Sequence, residues 1–499
     1  MLPQRTVVLS ILSTVAWSFE MKFPPSFKFG AASSSYQIEG GWNASDKTPN
    51  IWDKFTHDNP NIIKNGDNGD VACDSYNLWE RDIEMASELG LQFYRFSISW
   101  TRLLPNGYPN CVSENGIRYY DNLINGLLEK GIEPIVTIYH WELPQRFQDL
   151  GGWTNSLVSD WLADYARVVF SLYSDRVKTW ITVNEPSILC DFAYNTGLMA
   201  PGITDPEHAV YLCTKNTLIA HAKAWRIYDR EFKPRFHGRV SVSHHIVWFE
   251  GKDEELTELV HEYSNARFTH PIYTEVGGWP RMFEKYMAEK SRNQGYTKSR
   301  LPEFTEEEIE LCKGTYDFFG LNFYVARLVR LAKPGEQLGP FPIGDIPELD
   351  VKLEVSPDWG QTKSLIRSVY PESIRHMLNW IKENCGDVDI LVTENGYGTS
   401  TTGLDDHFRV QYYRDYMEQV LLAIKEDGVN VIGYTAWTLM DNFEWSEGYT
   451  VKYGLYEVNF TSPQRTRTPR ASAHFYKTVI ANRSLPPKAL VDNQIKDEL

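Results

Sequence analysis

Short apolar runs rich in β-formers alternate along this chain with stretches in which apolar residues recur every three or four positions. The runs fall at residues 27–32, 93–100, 134–141, 178–184, 239–249, 318–324, 389–394 and 431–439. Between them the period turns helical: Trp79, Ile83, Ala86 and Leu89 share one face, as do Ile117, Tyr120, Ile124 and Leu127. Tyr413, Met417, Val420 and Ile424 repeat the pattern near the end. Strands alternating with helices predict a parallel sheet, and eight such strands close a (β/α)₈ barrel, the TIM barrel, here with elaborated loops. No low-complexity segment or Pro/Gly/Ser-rich linker interrupts the pattern before the last twenty or so residues, so one domain over residues 19–485 is expected.

In such barrels chemistry gathers at the C-terminal ends of the strands. Those ends carry Arg95, His140-Trp141, Asn184-Glu185, Tyr324, Glu394-Asn395 and Trp437. Strand interiors should be apolar, so polar side chains collected on one rim call for a reason. Glu185 and Glu394 are each the first carboxylate after an apolar strand. In one barrel both face the central cavity. Two carboxylates across a cleft suit glycosidic cleavage, where one protonates the departing oxygen and the other attacks carbon or activates water. Spacing alone fits loop-anchoring or ion-paired structural glutamates better.

Composition narrows the classes. With 499 residues and a formal net charge of −16, the chain lacks the basic surface that attracts nucleic acid or anionic lipid. A 42% hydrophobic content excludes disorder. The 16 Trp, 28 Tyr and 24 Phe exceed what a core needs and point weakly to flat, hydroxylated ligands. The first 18 residues read as a signal peptide: Arg5, an apolar run over residues 7–16, then Ala16-Trp17-Ser18. That run is too short to span a membrane, which takes roughly 20 apolar residues. Residues 486–499 form a tail ending in Lys496-Asp497-Glu498-Leu499, an address for the endoplasmic reticulum lumen. Sequons at Asn43, Asn459 and Asn482 fit the same secretory route. Six cysteines are too sparse for a disulfide scaffold but allow a bridge or two. His244-His245 point to opposite faces of a strand and no H-E-x-x-H occurs, so no metal site is expected.

Thr182-Val183-Asn184-Glu185-Pro186 and Val392-Thr393-Glu394-Asn395-Gly396 resemble the two catalytic signatures of glycoside hydrolase family 1. The resemblance extends through Tyr36-Gln37-Ile38-Glu39-Gly40, Tyr94-Arg95-Phe96-Ser97, Tyr139-His140-Trp141-Glu142-Leu143-Pro144 and Gly320-Leu321-Asn322-Phe323-Tyr324. It continues through the block Trp437-Thr438-Leu439-Met440-Asp441-Asn442-Phe443-Glu444-Trp445. So many ordered blocks are highly specific, and among family members the chain looks like the animal-type β-glucosidases. The resemblance implies a (β/α)₈ barrel, no cofactor, and hydrolysis of a small-molecule β-glycoside or oligosaccharide with retention at the anomeric carbon.

By the same resemblance Glu394 is the nucleophile and Glu185 the acid/base, while Arg95 and Tyr324 support the nucleophile. Arg95 is expected to keep Glu394 ionised, and the negative Glu394 to keep Glu185 protonated at rest. Asn184 is expected at the sugar 2-hydroxyl; Gln37, His140, Trp141, Glu444 and Trp445 at the remaining hydroxyls; Trp437 beneath the ring. Read singly, His140, Trp437 and Trp445 fit core residues better; their occurrence together in matched blocks reverses that. Trp359, in a Pro- and Gly-punctuated loop after the sixth strand, is expected on the leaving-group side of the cleft. Val183, Glu142 and Val325 stand where many members have Phe, Asp and Thr; none removes a reacting group.

Three rival readings differ in specific residues. Catalytically silent binding relatives lose one glutamate, and both are present here. A 6-phospho-glycosidase is suggested by Lys452 and Tyr453 but opposed by Glu444, whose charge would repel a phosphate. A myrosinase, acting on sulfated thioglucosides, keeps the glutamate in its animal version and adds basic residues: Arg327 stands where one is expected and Asp191 occupies the other position. The aglycone, the glucose, galactose or fucose preference, and the oligomeric state are not legible in the sequence.

Overall fold

The computed structural model describes residues 21–360, 362 and 368–488. The expected signal peptide and the C-terminal lumenal address lie outside the described residues. The strands in chain order are β1 (Lys28–Ala32), β2 (Phe93–Ser97), β3 (Glu133–Tyr139), β4 (Thr179–Asn184), β5 (Arg239–Gly251) and β6 (Phe319–Leu331). They continue as β7 (Val351–Glu354), β8 (Ile390–Asn395), β9 (Val431–Trp437), β10 (Tyr456–Val458) and β11 (Arg467–Pro469). The main sheet runs β5-β4-β3-β2-β1-β9-β8-β6, and β5 also pairs with β6, so eight strands form a closed ring. Every pair in that ring is parallel. The ring is the (β/α)₈ barrel that the alternation predicts, and closure leaves the barrel without open edges.

Each predicted run holds one of the eight barrel strands. The helical stripes also fall where expected, on the helices Ser75–Leu89, Glu114–Glu129 and His407–Lys425. Ser75–Leu89 ends where Gly90 takes φ 73°, a left-handed stop that costs glycine little, and Leu91 then leads into β2. Two boundaries differ by three residues or more. The chain leaves β2 after Ser97, because the Trp100–Leu103 helix begins where extension to Trp100 was expected. β6 runs on from Tyr324 to Leu331, where β7 pairs with it antiparallel, Leu328 opposite Glu354. The β10–β11 hairpin, which carries no alternating pattern long enough to read, joins Tyr456 to Pro469.

The barrel interior is layered. Phe93, Ile135, Ile181, Phe318 and Leu391 form a buried apolar cluster toward the N-terminal ends of their strands. Two residues further along three of these strands stand Arg95, Thr137 and Thr393, on the same inward face because strand side chains alternate. Arg95 Nε donates to Thr137 Oγ1 at 3.0 Å, and Arg95 Nη1 donates to the Thr393 carbonyl at 3.0 Å. An apolar floor thus carries a hydrogen-bonded polar layer. Register shifts between Ile181 and Asn184 on β4, and between Val392 and Asn395 on β8, alter the alternation just before the rim. Such irregularities re-aim side chains. Glu394 follows inward-facing Thr393 yet still reaches the centre.

Candidate active site

Glu185 and Glu394 line one cavity at the C-terminal rim, and they are 5% and 4% exposed. Their surroundings differ. Arg95 Nη1 donates to Glu394 Oε1 at 2.7 Å, and the Tyr324 hydroxyl donates to Glu394 Oε2 at 2.9 Å. Among the described residues Glu185 receives only an amide: Asn322 Nδ2 donates to its Oε1 at 2.8 Å. Asn322 in turn accepts from Thr393 Oγ1 at 2.7 Å, and that hydroxyl accepts from Ser243 Oγ at 2.8 Å. Asn322 therefore joins the two carboxylate strands, a role that sequence reading did not assign to it. Its one visible signal was a buried-type amide inside an apolar strand.

These contacts set the proton inventory. Burial pushes Glu185 well above the usual carboxylate range, and the neighbouring Glu394 charge pushes it further. Burial also raises Glu394, against the pull of the Arg95 guanidinium and the Tyr324 hydroxyl. Desolvation outweighs the ion pair, so Arg95 lowers the Glu394 carboxyl without bringing it below its ordinary range. The order survives. Glu394 has the cation and ionises first, while Glu185 keeps the proton.

Asn184 sits between the two halves of the site. Its Oδ1 accepts from Arg95 Nη2 at 2.6 Å and Asn322 Nδ2 at 3.1 Å, which fixes the amide orientation. Its Nδ2 must then face His140 Nε2, 3.2 Å away. Nε2 is thereby an acceptor and the imidazole proton lies on Nδ1. Burial, with help from Arg95, keeps the ring neutral by lowering its pKa well below the usual histidine value. Among the described residues His140 Nδ1 and Glu444 Oε2 are buried atoms without a protein partner, and both residues line the cavity. Burial raises the Glu444 carboxyl to about 8. A donor and a polar acceptor thus stand ready for hydroxyl groups.

Trp437, His140 and Trp445 supply a set of near-parallel rings, His140 lying within 16° of each indole plane at 6.0 Å. Trp141 packs on Trp445 at 4.6 Å and ties back through Nε1 to the Asn184 carbonyl at 2.8 Å. Trp141, Trp437 and Trp445 all line the cavity. Gln37 does not. Its amide donates to the Phe443 carbonyl at 2.9 Å and to Asn442 Oδ1 at 3.1 Å, and its carbonyl accepts from Ser34. With both amide hydrogens so used, it braces the loop that carries Glu444.

A second chamber shares Ile188, Phe192 and His245 with the first and opens beyond it. Val247, Phe249, Phe341 and Leu353 make it apolar, and Arg327 and Asp191 also line it. Arg327 Nη1 donates to the Ala326 carbonyl and Ser368 Oγ. Asp191 is neutralised by Arg267, which binds both its oxygens. Trp359 is not among the residues lining either chamber; one face of its indole stacks on Tyr370, with centroids 4.8 Å apart. Lys452 lies 3.8 Å from Asp441 and over the Phe460 ring, which leaves the phosphate reading without its lysine. His245 lines both chambers, whereas His244, on the other face of the strand, packs between Tyr273 and Phe319. Asn43, Asn459 and Asn482 are exposed. Cys190 and Cys213 form a disulfide, while Cys73, Cys111, Cys312 and Cys385 are free.

The chain is 43% identical over 472 residues to myrosinase 1 of Brevicoryne brassicae, covering 93% of this chain and 99% of that protein. It is 39% identical over 474 residues to the cytosolic beta-glucosidase of Homo sapiens, covering 93% and 99% of the two. The structure of an aphid myrosinase superposes with a TM-score of 0.88 at 43% identity, over 93% of this chain and all of that one. The model of glycosyl hydrolase family 1 matches residues 19–485. The closed eight-stranded barrel, the two rim carboxylates and the whole-length relatives agree: the chain belongs to glycosyl hydrolase family 1.

Proposed function

We propose that this protein is a retaining β-glucosidase in which Glu394 is the nucleophile and Glu185 the acid/base. The observation that carries the reading is the unequal support of two carboxylates in one cavity: Arg95 and Tyr324 hold Glu394, and one amide holds Glu185. In the first step a Glu394 oxygen attacks the anomeric carbon while Glu185 gives its proton to the glycosidic oxygen, and the carbon–oxygen bond breaks to release the aglycone alcohol. Once Glu394 is esterified its charge is gone, so Glu185 is free to ionise. In the second step Glu185 takes a proton from water, the water oxygen bonds to the anomeric carbon, and Glu394 departs as a carboxylate. Glu444, His140 and the Trp437–Trp445 wall would hold the sugar, and the outer chamber the aglycone.

The stereochemical course tests this reading. Proton NMR of an aryl β-glucoside digest should show β-glucose first, with the α form arising only by mutarotation. First-formed α-glucose would overturn it.

One observation favours a second reading, a thioglucosidase acting on an anionic aglycone: Arg327 lines the outer chamber, and the 43% identical relative is named a myrosinase. Asp191 beside it opposes that reading only weakly, because Arg267 cancels its charge. Assay of a sulfated thioglucoside beside an uncharged aryl glucoside separates the two.

We also propose a secretory route ending in the endoplasmic reticulum lumen. Its support is the leader pattern, the terminal Lys496-Asp497-Glu498-Leu499, three exposed sequons and a disulfide, a bond that persists in oxidising compartments. Deletion of the last four residues should shift the protein into the medium; an unchanged distribution would overturn the proposal.

A further inference from the structure

Glu185 takes φ 46° and ψ 67°, a left-handed conformation, directly before Pro186. That geometry is doubly unfavourable, since a non-glycine residue resists positive φ and a residue before proline favours extended backbone. Such a conformation persists only where the surroundings over-determine it. Here the next turn is the short helix Pro186–Cys190, and it is tied down at three points within five residues. Ser187 Oγ donates to the His245 carbonyl at 3.0 Å. Cys190 is bonded to Cys213 in the Ala209–Ile227 helix, with Cα atoms 5.6 Å apart and both side chains fully buried. Asp191 is clamped by Arg267, itself buried in the Arg267–Tyr273 helix. The same turn lends Ile188 to both chambers, and Phe192 follows it into both.

We infer that the Cys190–Cys213 disulfide, backed by the Asp191–Arg267 pair, is a positioning device that holds Glu185 and the leaving-group wall in register. The inference rests on the acid/base role proposed for Glu185. A bond to a barrel helix stops the turn from relaxing toward ordinary backbone geometry, which would withdraw the carboxyl from the glycosidic oxygen. Cys190 and Cys213 touch no substrate; they act through the turn.

The test compares the full-length oxidised protein with C190S/C213S and with wild type reduced by a phosphine and thiol-blocked. In that reduction the phosphine gives two electrons and takes the oxygen of a water to become its oxide, and the two protons of that water go to the disulfide sulfurs. Assays run well below each protein's measured Tm, on aryl β-glucosides of graded leaving-group pKa. General acid catalysis supplies about 10²–10⁴-fold only where the leaving group needs a proton. We expect kcat/KM to fall roughly ten-fold or more for alkyl and phenyl glucosides and less than about two-fold for dinitrophenyl glucoside. The basic limb of the pH profile should move as well. A lowered Tm with equal losses on all substrates and an unmoved limb would overturn the inference and leave a purely structural bond. Should C190S/C213S fail to fold, the reduced wild type gives the same comparison. A parent protein active on these glucosides, with an unchanged leaving-group dependence in the variants, sinks this inference alone; a parent inactive on all of them sinks the proposed function too.

Discussion

Arg95 donates to Glu394 across 2.7 Å at the floor of the cavity, and both side chains are buried. The same guanidinium reaches Asn184 and Thr137, so one planar group positions the nucleophile and the amide that orients His140. A lysine cannot reproduce that fork. Arg95→Lys should cost about 10²-fold or more in kcat/KM, the scale of losing a pre-aimed electrostatic partner. Weaker support of the charged form raises the Glu394 pKa further, so the acidic limb of the pH–rate profile should move to higher pH. An unmoved acidic limb would separate Arg95 from the ionisation of Glu394.

Asn322 makes the complementary case. Among the described residues it is the one side-chain hydrogen-bond donor to Glu185, and a donor to a carboxylate favours its charged form. Asn322→Ala should therefore raise the Glu185 pKa and shift the basic limb upward. A rate loss of about 10- to 100-fold should accompany it, within the span of general acid–base effects. The acidic limb should rise as well, because the same amide favours the charged form of Glu394; an unmoved basic limb would separate Asn322 from the ionisation of Glu185.

Much of this was legible beforehand, and the gaps have physical causes. The eight strands and the rim list followed from alternation, because barrel strands are short, apolar and punctuated. β6 was cut short at Tyr324 because its last residues are stabilised by β7, a partner some twenty residues away that no local pattern announces. Asn322 escaped notice because a buried amide in a strand looks like any satisfied polar residue. Gln37 was placed at the sugar, whereas the contacts of its amide bind it to the Phe443 carbonyl. Trp359 shows the same limit: position in a loop says where the backbone runs, and only the neighbouring Tyr370 decides where the ring rests.

Glu142 offers a stability test independent of catalysis. It is buried, and it accepts from Ser35, Ser99 and Asn50 with no cation bonded to it. Desolvation first, then repulsion from Glu39, raises its carboxyl to about 7 from 4.5. Between those values the folded chain holds a proton that the unfolded chain has lost. Stability should thus fall as pH rises through that window, by about 3 kcal/mol in all from this group, and level off above about pH 7. Glu142→Gln cannot ionise and should flatten the slope by about one proton, measured by denaturant unfolding at several pH values. A slope unchanged in the variant would mean that Glu142 is ionised throughout.

The two rim glutamates should fail in different ways, and the difference assigns their roles. Glu394→Ala removes the group that bonds to the anomeric carbon, so activity should vanish for every β-glucoside whatever its leaving group. Glu185→Ala removes only a proton donor and acceptor. Dinitrophenolate leaves without protonation, so that substrate should still glycosylate Glu394 and release a burst of phenolate. The ester then lacks a base to activate water and should accumulate, visible as an added hexose mass on the intact protein. Azide needs no base, and it enters from the face the aglycone left. Added azide should therefore restore turnover by about 10²-fold, near the low end of what general base catalysis supplies, and yield the β-glucosyl azide. In Glu394→Ala the same anion would occupy the place of the lost carboxylate and attack from the opposite face, giving the α-azide. An α-azide from the Glu185 variant, or a β-azide from the Glu394 variant, would exchange the two roles.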